Sequence, residues 1–306
     1  MVFFALFVLT KVGYSSSLIF YDAMLPDVTE KDRMDQISSH GYAWGYIGSC
    51  IPFIISLVFV LFYDRLGLTI TGAMAIAFLL NAGWWLLATL PLLKNYRQIN
   101  FAERQKGGVT AGIRRLGRAF QDIREHKKIF LFLIAFFFYI DGVYTIIDMA
   151  TAYGSALGLD TQGLLLALLM TQIVAFPFAL IFGSAAKRYP AQKLIRICIL
   201  AYTGIALFAI QLDKQWEFWV LAAFVGIFQG AIQALSRSYF AKIIPSEKSG
   251  ELFGIFDICG KGAAFLGTAL VGIISQITGS PNIGVGVLAI MFIIGLLVFQ
   301  KADQTV

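Results

Sequence analysis

The residues with the greatest potential for chemistry are ionisable and amide side chains placed inside long apolar segments. Asp141 and Asp148 lie two helical turns apart in one such segment, with Tyr144 and Thr145 between them, and this spacing places all four on one helical face. An ionisable group at membrane depth is costly to bury and is a functional-site hypothesis by default. The four predict a polar stripe along a solute or proton pathway. The alternatives are a buried structural hydrogen bond for Asp141 and plain solvation near the outer surface for Asp148.

A second charged group combines Asp257 and Lys261, one turn apart on one face of another apolar segment. A neighbour of opposite charge lowers the cost of burying either group. The spacing predicts a pair on a cavity wall that responds to a substrate or a proton. The alternative is a structural ion pair.

A third polar stripe consists of Gln229, Gln233 and Arg237, at positions i, i+4 and i+8 of one segment. Amide and guanidinium groups in this register could bind a zwitterion or an anion. Alternatively, Arg237 extends to the inner interface and stays hydrated. In the first segment Asp22 shares a helical face with Lys11, and we include Asp22 among the candidate pathway residues.

Motifs for enzymatic or cofactor chemistry are missing from the sequence. It contains no Gly-x-x-x-x-Gly-Lys-Ser/Thr loop, no His-Glu-x-x-His and no Gly-x-Ser-x-Gly. His40 and His126 stand alone in polar loops, without the cluster that metal ligation needs. We therefore predict a protein that is not an enzyme and has neither a cofactor nor a metal site.

The elements that position these side chains are membrane-length helices. The chain has 306 residues, of which 58% are hydrophobic and only 14% charged, whereas soluble domains are about half apolar and about a quarter charged. The apolar runs have the length that crosses a bilayer, and they lack the alternation of a barrel strand. We predict an all-α polytopic membrane protein with nine transmembrane helices, at about 3–25, 41–63, 68–93, 129–153, 160–185, 192–212, 216–242, 251–277 and 282–300.

The polar loop at 94–128 fixes the predicted orientation, because it carries ten of the 24 Lys and Arg residues. With this loop in the cytoplasm, twenty basic residues lie on the inner side and three on the outer side, which is the bias that orients membrane proteins. The C-terminus is then cytoplasmic, and in a bacterium the membrane is the plasma membrane. Because the basic residues sit beside spans, the net charge of +6 indicates no nucleic-acid partner.

Part of this loop has the pattern of an amphipathic helix. Apolar residues recur at a helical period, with arginines between them; the apolar set is Ile113, Leu116, Phe120 and Ile123, and the basic set is Arg114, Arg115, Arg118 and Arg124. Such a helix lies on the inner membrane face with its basic side toward anionic headgroups. The alternative is a solvated charged linker.

An internal repeat suggests how the helices are grouped. The YDAMLP run at 21–26 resembles YFAKIIP at 239–245, and GYAWG at 41–45 resembles GELFG at 250–254, at offsets of 218 and 209 residues. Parallel repeats of six-span halves are typical of the major facilitator architecture. We therefore predict a partial (3 + 6) arrangement: 1–93 as three spans of an N-terminal half, 94–128 as the basic loop, and 129–306 as a six-span C-terminal half.

Longer motifs carry a resemblance to a known family. FYDAMLPDVTEKDRMDQISSHGYAWGYIG (20–48), IDG (140–142), ATAYG (150–154) and ALSRSYFAKIIPSEKSGELFGIFDICGKGAAFLG (234–267) resemble the vacuole effluxer (autophagy-related protein 22-like) family of the major facilitator superfamily. The resemblance covers nearly the whole chain, while the family's first three spans have no counterpart. It implies that the first, fourth and seventh spans line a central pathway. The second cytoplasmic gating loop common in the superfamily would correspond to GSAAKRYP (183–190). Lys187 stands there in place of the usual acidic residue, so a standard charge-relay gate is not predicted.

The resemblance implies a secondary transporter that moves a small solute by alternating access, with amino-acid efflux as the candidate activity and protons as the candidate coupling ion. We expect Asp141 to face the route, with Lys261 as its nearest countercharge. The alternative function is a non-transporting membrane scaffold, a partner subunit, or a truncated gene product. The partners on either hypothesis include the lipid bilayer.

Overall fold

The regular structure of the protein is helical. A computed structural model describes residues 2–100 and 109–305, and every regular element in these two ranges is a helix. The helices are α1 (Val2–Ala23), α2 (Leu25–Val28), α3 (Met34–Leu61), α4 (Ile70–Asn95), α5 (Val109–Glu125), α6 (Lys127–Ala156), α7 (Thr161–Ala185), α8 (Ala191–Ala209), α9 (Gln215–Ile243), α10 (Ser249–Thr278), α11 (Pro281–Gly286) and α12 (Leu288–Asp303).

Nine helical segments of the described ranges are long and apolar enough to cross a membrane, which confirms the predicted all-α class and its nine spans. They are α1, α3, α4, α6, α7, α8, α9, α10 and the combined α11–α12 segment. The second span begins at Met34, seven residues before its predicted start at 41. This difference has a packing cause, because Asp35, Ser38 and Ser39 are buried against other helices. Hydropathy alone assigned these polar residues to a loop.

The segment from α6 to α12 forms one unit with a common core. Helix α6 packs against α10 and α12, while α9 packs against α7 and α8. Aromatic side chains fill the centre, where the rings of Phe136 and Phe256 stack with centroids 4.0 Å apart and Phe240 stacks on Phe256 at 4.8 Å. Stacked and edge-on rings add favourable quadrupole contacts to the burial of apolar area.

Helices α1, α3 and α4 lie beside this unit. Helix α3 packs against α7 and α9, α1 packs against α10, and α4 packs against α3. The outer surfaces of α1 and α4 expose many large apolar side chains, such as Phe4, Phe78 and Leu79. Most of the predicted pathway residues lie at the interface between helices α1–α3 and the six-span unit.

A helix is present where the basic loop was predicted to be amphipathic. Helix α5 buries Ala119 and Ile123 against the core, while Leu116 and Phe120 remain exposed. Residues 101–108 of the loop and the side chain of Ile113 lie outside the described part of the chain. The position of α5 on the inner membrane face remains a prediction.

Candidate functional site

Arg237 of α9 is the centre of a buried polar network that reaches the first two spans. Its Nη1 donates a hydrogen bond to Asp22 Oδ1 at 3.0 Å, and its Nε donates to Ser38 Oγ at 2.9 Å. The guanidinium also lies over the rings of Tyr21 and Tyr42, at 5.1 and 5.0 Å from their centroids. Arg237 is 3% exposed. The alternative in which it extends to the membrane interface is therefore wrong.

Three further contacts continue this network along α3 and α9. Lys242 Nζ pairs with Asp35 Oδ2 at 2.5 Å, and Ser238 Oγ donates to Asp35 Oδ1 at 2.6 Å. Ser38 Oγ donates to the carbonyl oxygen of Ala234 at 2.7 Å. These bonds satisfy polar groups that would otherwise be buried at a cost. We call the set Asp22, Asp35, Ser38, Arg237, Ser238 and Lys242 the polar seam.

The predicted pair on α10 forms and has a further partner on α1. Lys261 Nζ lies 2.7 Å from Asp257 Oδ1, and it donates a hydrogen bond to the carbonyl oxygen of Ser15 at 3.3 Å. The side chain of Asp257 is 17% exposed and that of Lys261 is 35% exposed. The pair therefore joins α10 to α1 with part of its surface open.

Two adjoining cavities lie beside the polar seam, and the smaller of them reaches Asp257 of the pair on α10. The smaller has a volume of about 20 Å³ and is lined by Asp22, Tyr42, Phe136, Ile140, Tyr144, Gln233, Phe256, Asp257 and Gly260. The wider one has a volume of about 360 Å³ and is lined by Tyr21, Gly41, Tyr42, Gly45, Tyr46, Ser49, Gln172 and Gln233. Tyr42 and Gln233 line both cavities. We call the two together the central polar site.

Amide groups beside this site are available for binding. Gln233 Nε2 donates to Tyr46 OH at 3.3 Å. Gln172 Oε1 and Gln229 Nε2 are buried and have no hydrogen-bond partner among the described residues, and both residues line one further cavity between α7 and α9. A buried amide atom without a partner is costly, so these atoms favour a ligand that offers hydrogen bonds.

Asp141 occupies a different position, between α6 and α10. Its Oδ1 accepts hydrogen bonds from Gly267 N at 3.0 Å and Thr145 Oγ1 at 3.4 Å, and the residue is fully buried. A Cβ on Gly267 would fall 2.2 Å from Thr145 Oγ1 and 2.5 Å from Asp141 Oδ1, so glycine permits this close approach. No ion pair involves Asp141 in the described ranges. The expected countercharge, Lys261, is paired with Asp257 instead.

The other sequence-predicted residues divide between the central polar site and its surroundings. Asp22, Tyr144, Gln233 and Asp257 line the site, whereas Asp148 is exposed and lies outside it. The sequence analysis missed Tyr42, Tyr46, Gln172 and Ser38. The types of these residues gave only a weak indication of a site, because tyrosine, glutamine and serine are common in apolar helices for packing reasons.

The arrangement of the helices is that of a known class of membrane protein. The structure is similar to crystal structures of the major facilitator superfamily transporter FucP, described as the fucose:proton symporter of E. coli, with a TM-score of 0.50, 19% identity, and coverage of 77% of this chain and 56% of FucP. One of these similar structures is in the outward conformation. The fold is therefore a partial (3 + 6) major facilitator architecture, as predicted.

The sequence comparison identifies the family within this class. Residues 1–305 match the family described as "Vacuole effluxer Atg22 like", and the chain belongs to that family. It is 39% identical over 300 residues to the uncharacterized MFS-type transporter YxiO of Bacillus subtilis (strain 168), covering 97% of this chain and 70% of YxiO. It is 27% identical over 303 residues to autophagy-related protein 22 of Yarrowia lipolytica, covering 88% of this chain.

The chain spans about half the length of several of the fungal relatives that it matches, 50% of the Yarrowia lipolytica protein and 53% of that of Eremothecium gossypii. These comparisons define an integral membrane protein of the MFS transporter type, a class whose members are generally not enzymes.

Proposed function

We propose that the central polar site binds a small zwitterionic solute, such as an amino acid, and that the protein exports it by alternating access. The observation that carries this proposal is the presence of both charges around one cavity system. Asp22 and Asp257 line the smaller cavity and offer carboxylates to an ammonium group. Their ion-pair partners Arg237 and Lys261, which do not themselves line the cavity, offer cations to a carboxylate. Charged groups are rare inside membrane helices and usually mark substrate or ion routes.

The position of the site supports alternating access. It lies between α1–α3 on one side and the six-span unit on the other, and the polar seam closes one end of that interface. The wider cavity extends along α3 from Gly41 to Ser49, away from the seam. Rocking of the two parts around a central site would break the seam and open the closed end.

Several loops at the seam end support the proposed orientation. Asp32 and Asp35 line one cleft with Lys128, the loop at 186–190 and the end of α9. Asp122 of α5 pairs with Lys248. These are the loops that the sequence assigns to the cytoplasm, and their basic residues follow the rule for inner loops. We propose that the seam end and the C-terminus face the cytoplasm. If the source is bacterial, the membrane is the plasma membrane. The efflux direction is supported by the description of the family.

Proton coupling forms part of the proposal. If the solute carboxylate pairs with Arg237 or Lys261, then Asp22 or Asp257 loses its countercharge. An uncompensated carboxylate inside a membrane protein favours its neutral, protonated form. Solute binding and protonation would therefore be linked, and each could shift the balance between the two conformations. Asp141 takes no part in this scheme. Its hydrogen bond with Gly267 joins α6 to α10.

Counterflow in proteoliposomes tests the proposal. The full gene product is reconstituted with a panel of amino acids inside, and the uptake of radiolabelled solute is followed at several pH values. We expect counterflow for at least one zwitterion. The Asp257→Asn variant should lose most of it, because an amide cannot balance the charge of Lys261 or of the ammonium group.

The matched control is Glu251→Gln, which changes a carboxylate to an amide on the same helix but outside the central polar site. This variant should keep the wild-type rate. If no solute in the panel gives counterflow, or if Asp257→Asn transports at the wild-type rate, the proposal fails. The first of these results would favour the alternative of a non-transporting scaffold or partner subunit.

A further inference from the structure

A second, larger cleft lies at the seam end of the molecule and is separate from the central polar site. Its volume is about 470 Å³, within the range of small-molecule sites. The lining comes from four places in the chain: the first turn of α3 with Asp32 just before it, the start of α6, the α7–α8 loop with the start of α8, and the end of α9. The cleft therefore spans the interface between the three-span part and the six-span unit.

The charges of this cleft are predominantly positive. Lys128, Lys187 and Arg188 line it and form no ion pair in the described ranges. Asp35 also lines it, but its carboxylate is already engaged by Lys242 and Ser238. Among the described residues that line the cleft, Asp32 is then the single acidic group that opposes the three unpaired cations. Cations held together in a cleft repel one another, and a bound anion would relieve that repulsion.

The first turn of α8 adds backbone donors to this positive surface. Helix α8 begins at Ala191, which lines the cleft together with Gln192, and no side chain caps it at Pro190. The first N–H groups of a helix lack intrahelical partners, and the helix dipole places partial positive charge there. Helix N-termini combined with Lys and Arg side chains are well suited to phosphate oxygens.

We propose that this cleft is a binding site for a phosphate-bearing anion. Lys187 and Arg188 of the α7–α8 loop and Lys128 of α6 would contact the phosphate oxygens, and the start of α8 would donate backbone hydrogen bonds. The ligand chemistry is the same for a soluble phosphorylated molecule and for the headgroup of an anionic lipid. The proposal does not depend on the identity of the transported solute.

Ligand-induced thermal stabilisation of the purified full gene product tests this site and distinguishes the two sources. One arm titrates pyrophosphate into detergent-solubilised protein at constant ionic strength, because salt screens surface charge. The other arm compares nanodiscs of phosphatidylglycerol with nanodiscs of phosphatidylcholine. We expect a rise in the unfolding temperature in at least one arm. Stabilisation by pyrophosphate would indicate a soluble ligand, and stabilisation by phosphatidylglycerol would indicate a lipid.

The Lys187→Gln/Arg188→Gln double variant should weaken the apparent affinity by about tenfold or more, since it removes two charge-assisted contacts. The control is Lys301→Gln, a loss of one exposed cation in the last turn of α12, which should leave the affinity unchanged. Three results would overturn the proposal: no stabilisation in either arm, the same affinity in the double variant, or an equal loss in Lys301→Gln. The last would indicate general electrostatic attraction.

Discussion

Replacing Arg237 by methionine removes the main hydrogen-bond donor of the polar seam and keeps a side chain of moderate length. The variant loses three hydrogen bonds, to Asp22 and to the side chain and backbone of Ser38. It also loses the cation–π contacts with Tyr21 and Tyr42. The main consequence is that the largely buried carboxylate of Asp22 loses its ion-pair partner.

The magnitude follows from this unpaired charge. Breaking a buried ion pair by removing one partner costs about 3–5 kcal/mol. The Asp22 side chain is 18% exposed, so the lower end of that range applies. The seam joins α3 and α1 to α9, so in the proposed alternating-access cycle the loss falls on the closed conformation and much less on the folding of the six-span unit. A change of about 3 kcal/mol shifts the equilibrium between closed and open conformations by about a hundredfold.

Labelling of a cysteine at position 39 measures this shift. Ser39 is fully buried in the seam region, and its side chain packs against Gly183 of α7. The chain's own cysteines, Cys50, Cys198 and Cys259, are first replaced by alanine. We expect a water-soluble maleimide to modify Ser39→Cys slowly in the closed conformation and about a hundredfold faster when Arg237→Met is added.

Two further variants separate opening from general damage. Arg196→Met breaks an ion pair with Asp303 inside the six-span unit and should not change the labelling rate. The Asp22→Asn/Arg237→Met double variant should label more slowly than Arg237→Met alone, because no unpaired charge remains. The reasoning is refuted if labelling is unchanged in Arg237→Met, or if Arg196→Met accelerates it equally.

Two other contacts give predictions of defined sign. The Gly267→Ala substitution should lower the unfolding temperature in detergent by an amount equivalent to about 1–3 kcal/mol of overpacking, whereas Gly262→Ala on the same helix, with no atom near its added Cβ, should not. Asp27 accepts a hydrogen bond from Tyr96 OH at 2.5 Å, and burial together with this bond raises the pKa of Tyr96 to about 12. This neutral phenol therefore stabilises the fold fully below about pH 10 and progressively less up to pH 12. Asp27→Asn should lower the pKa of Tyr96, measured by phenolate absorbance with Tyr96→Phe as the reference. The same substitution should speed tryptic cleavage at the exposed Arg97. An unchanged titration and digestion pattern would contradict this role of Asp27.

The nine spans were predictable because hydrophobic length is a local property of the sequence. Each span needs only enough consecutive apolar residues to cross the bilayer. The pairing of Asp257 with Lys261 was also accessible, since helical spacing places side chains four residues apart on one face. In both cases the information lies within one helix.

The partners of Arg237 and Asp141 were not predictable in the same way. Residue counting gives the depth of a side chain in the membrane but not the helix that it faces. Arg237 finds Asp22 and Ser38 on two other helices, and Asp141 finds Gly267 because that glycine has no side chain to block the approach. The same limitation explains the early start of α3 at Met34. Its polar first turns become helical because α9 supplies their hydrogen-bond partners.

The link between Asp22 and Arg237 also constrains how the chain is made. The two residues are 215 positions apart, so at a synthesis rate of about 5–20 residues per second Asp22 enters the membrane about 10–40 s before Arg237. An arginine in an isolated helix costs about 2.5–3.5 kcal/mol to insert. The groups that offset this cost, on α1 and α3, are already in the membrane when α9 arrives. A chain whose synthesis started after residue 93 would deliver Arg237 to lipid with neither of these helices to receive it.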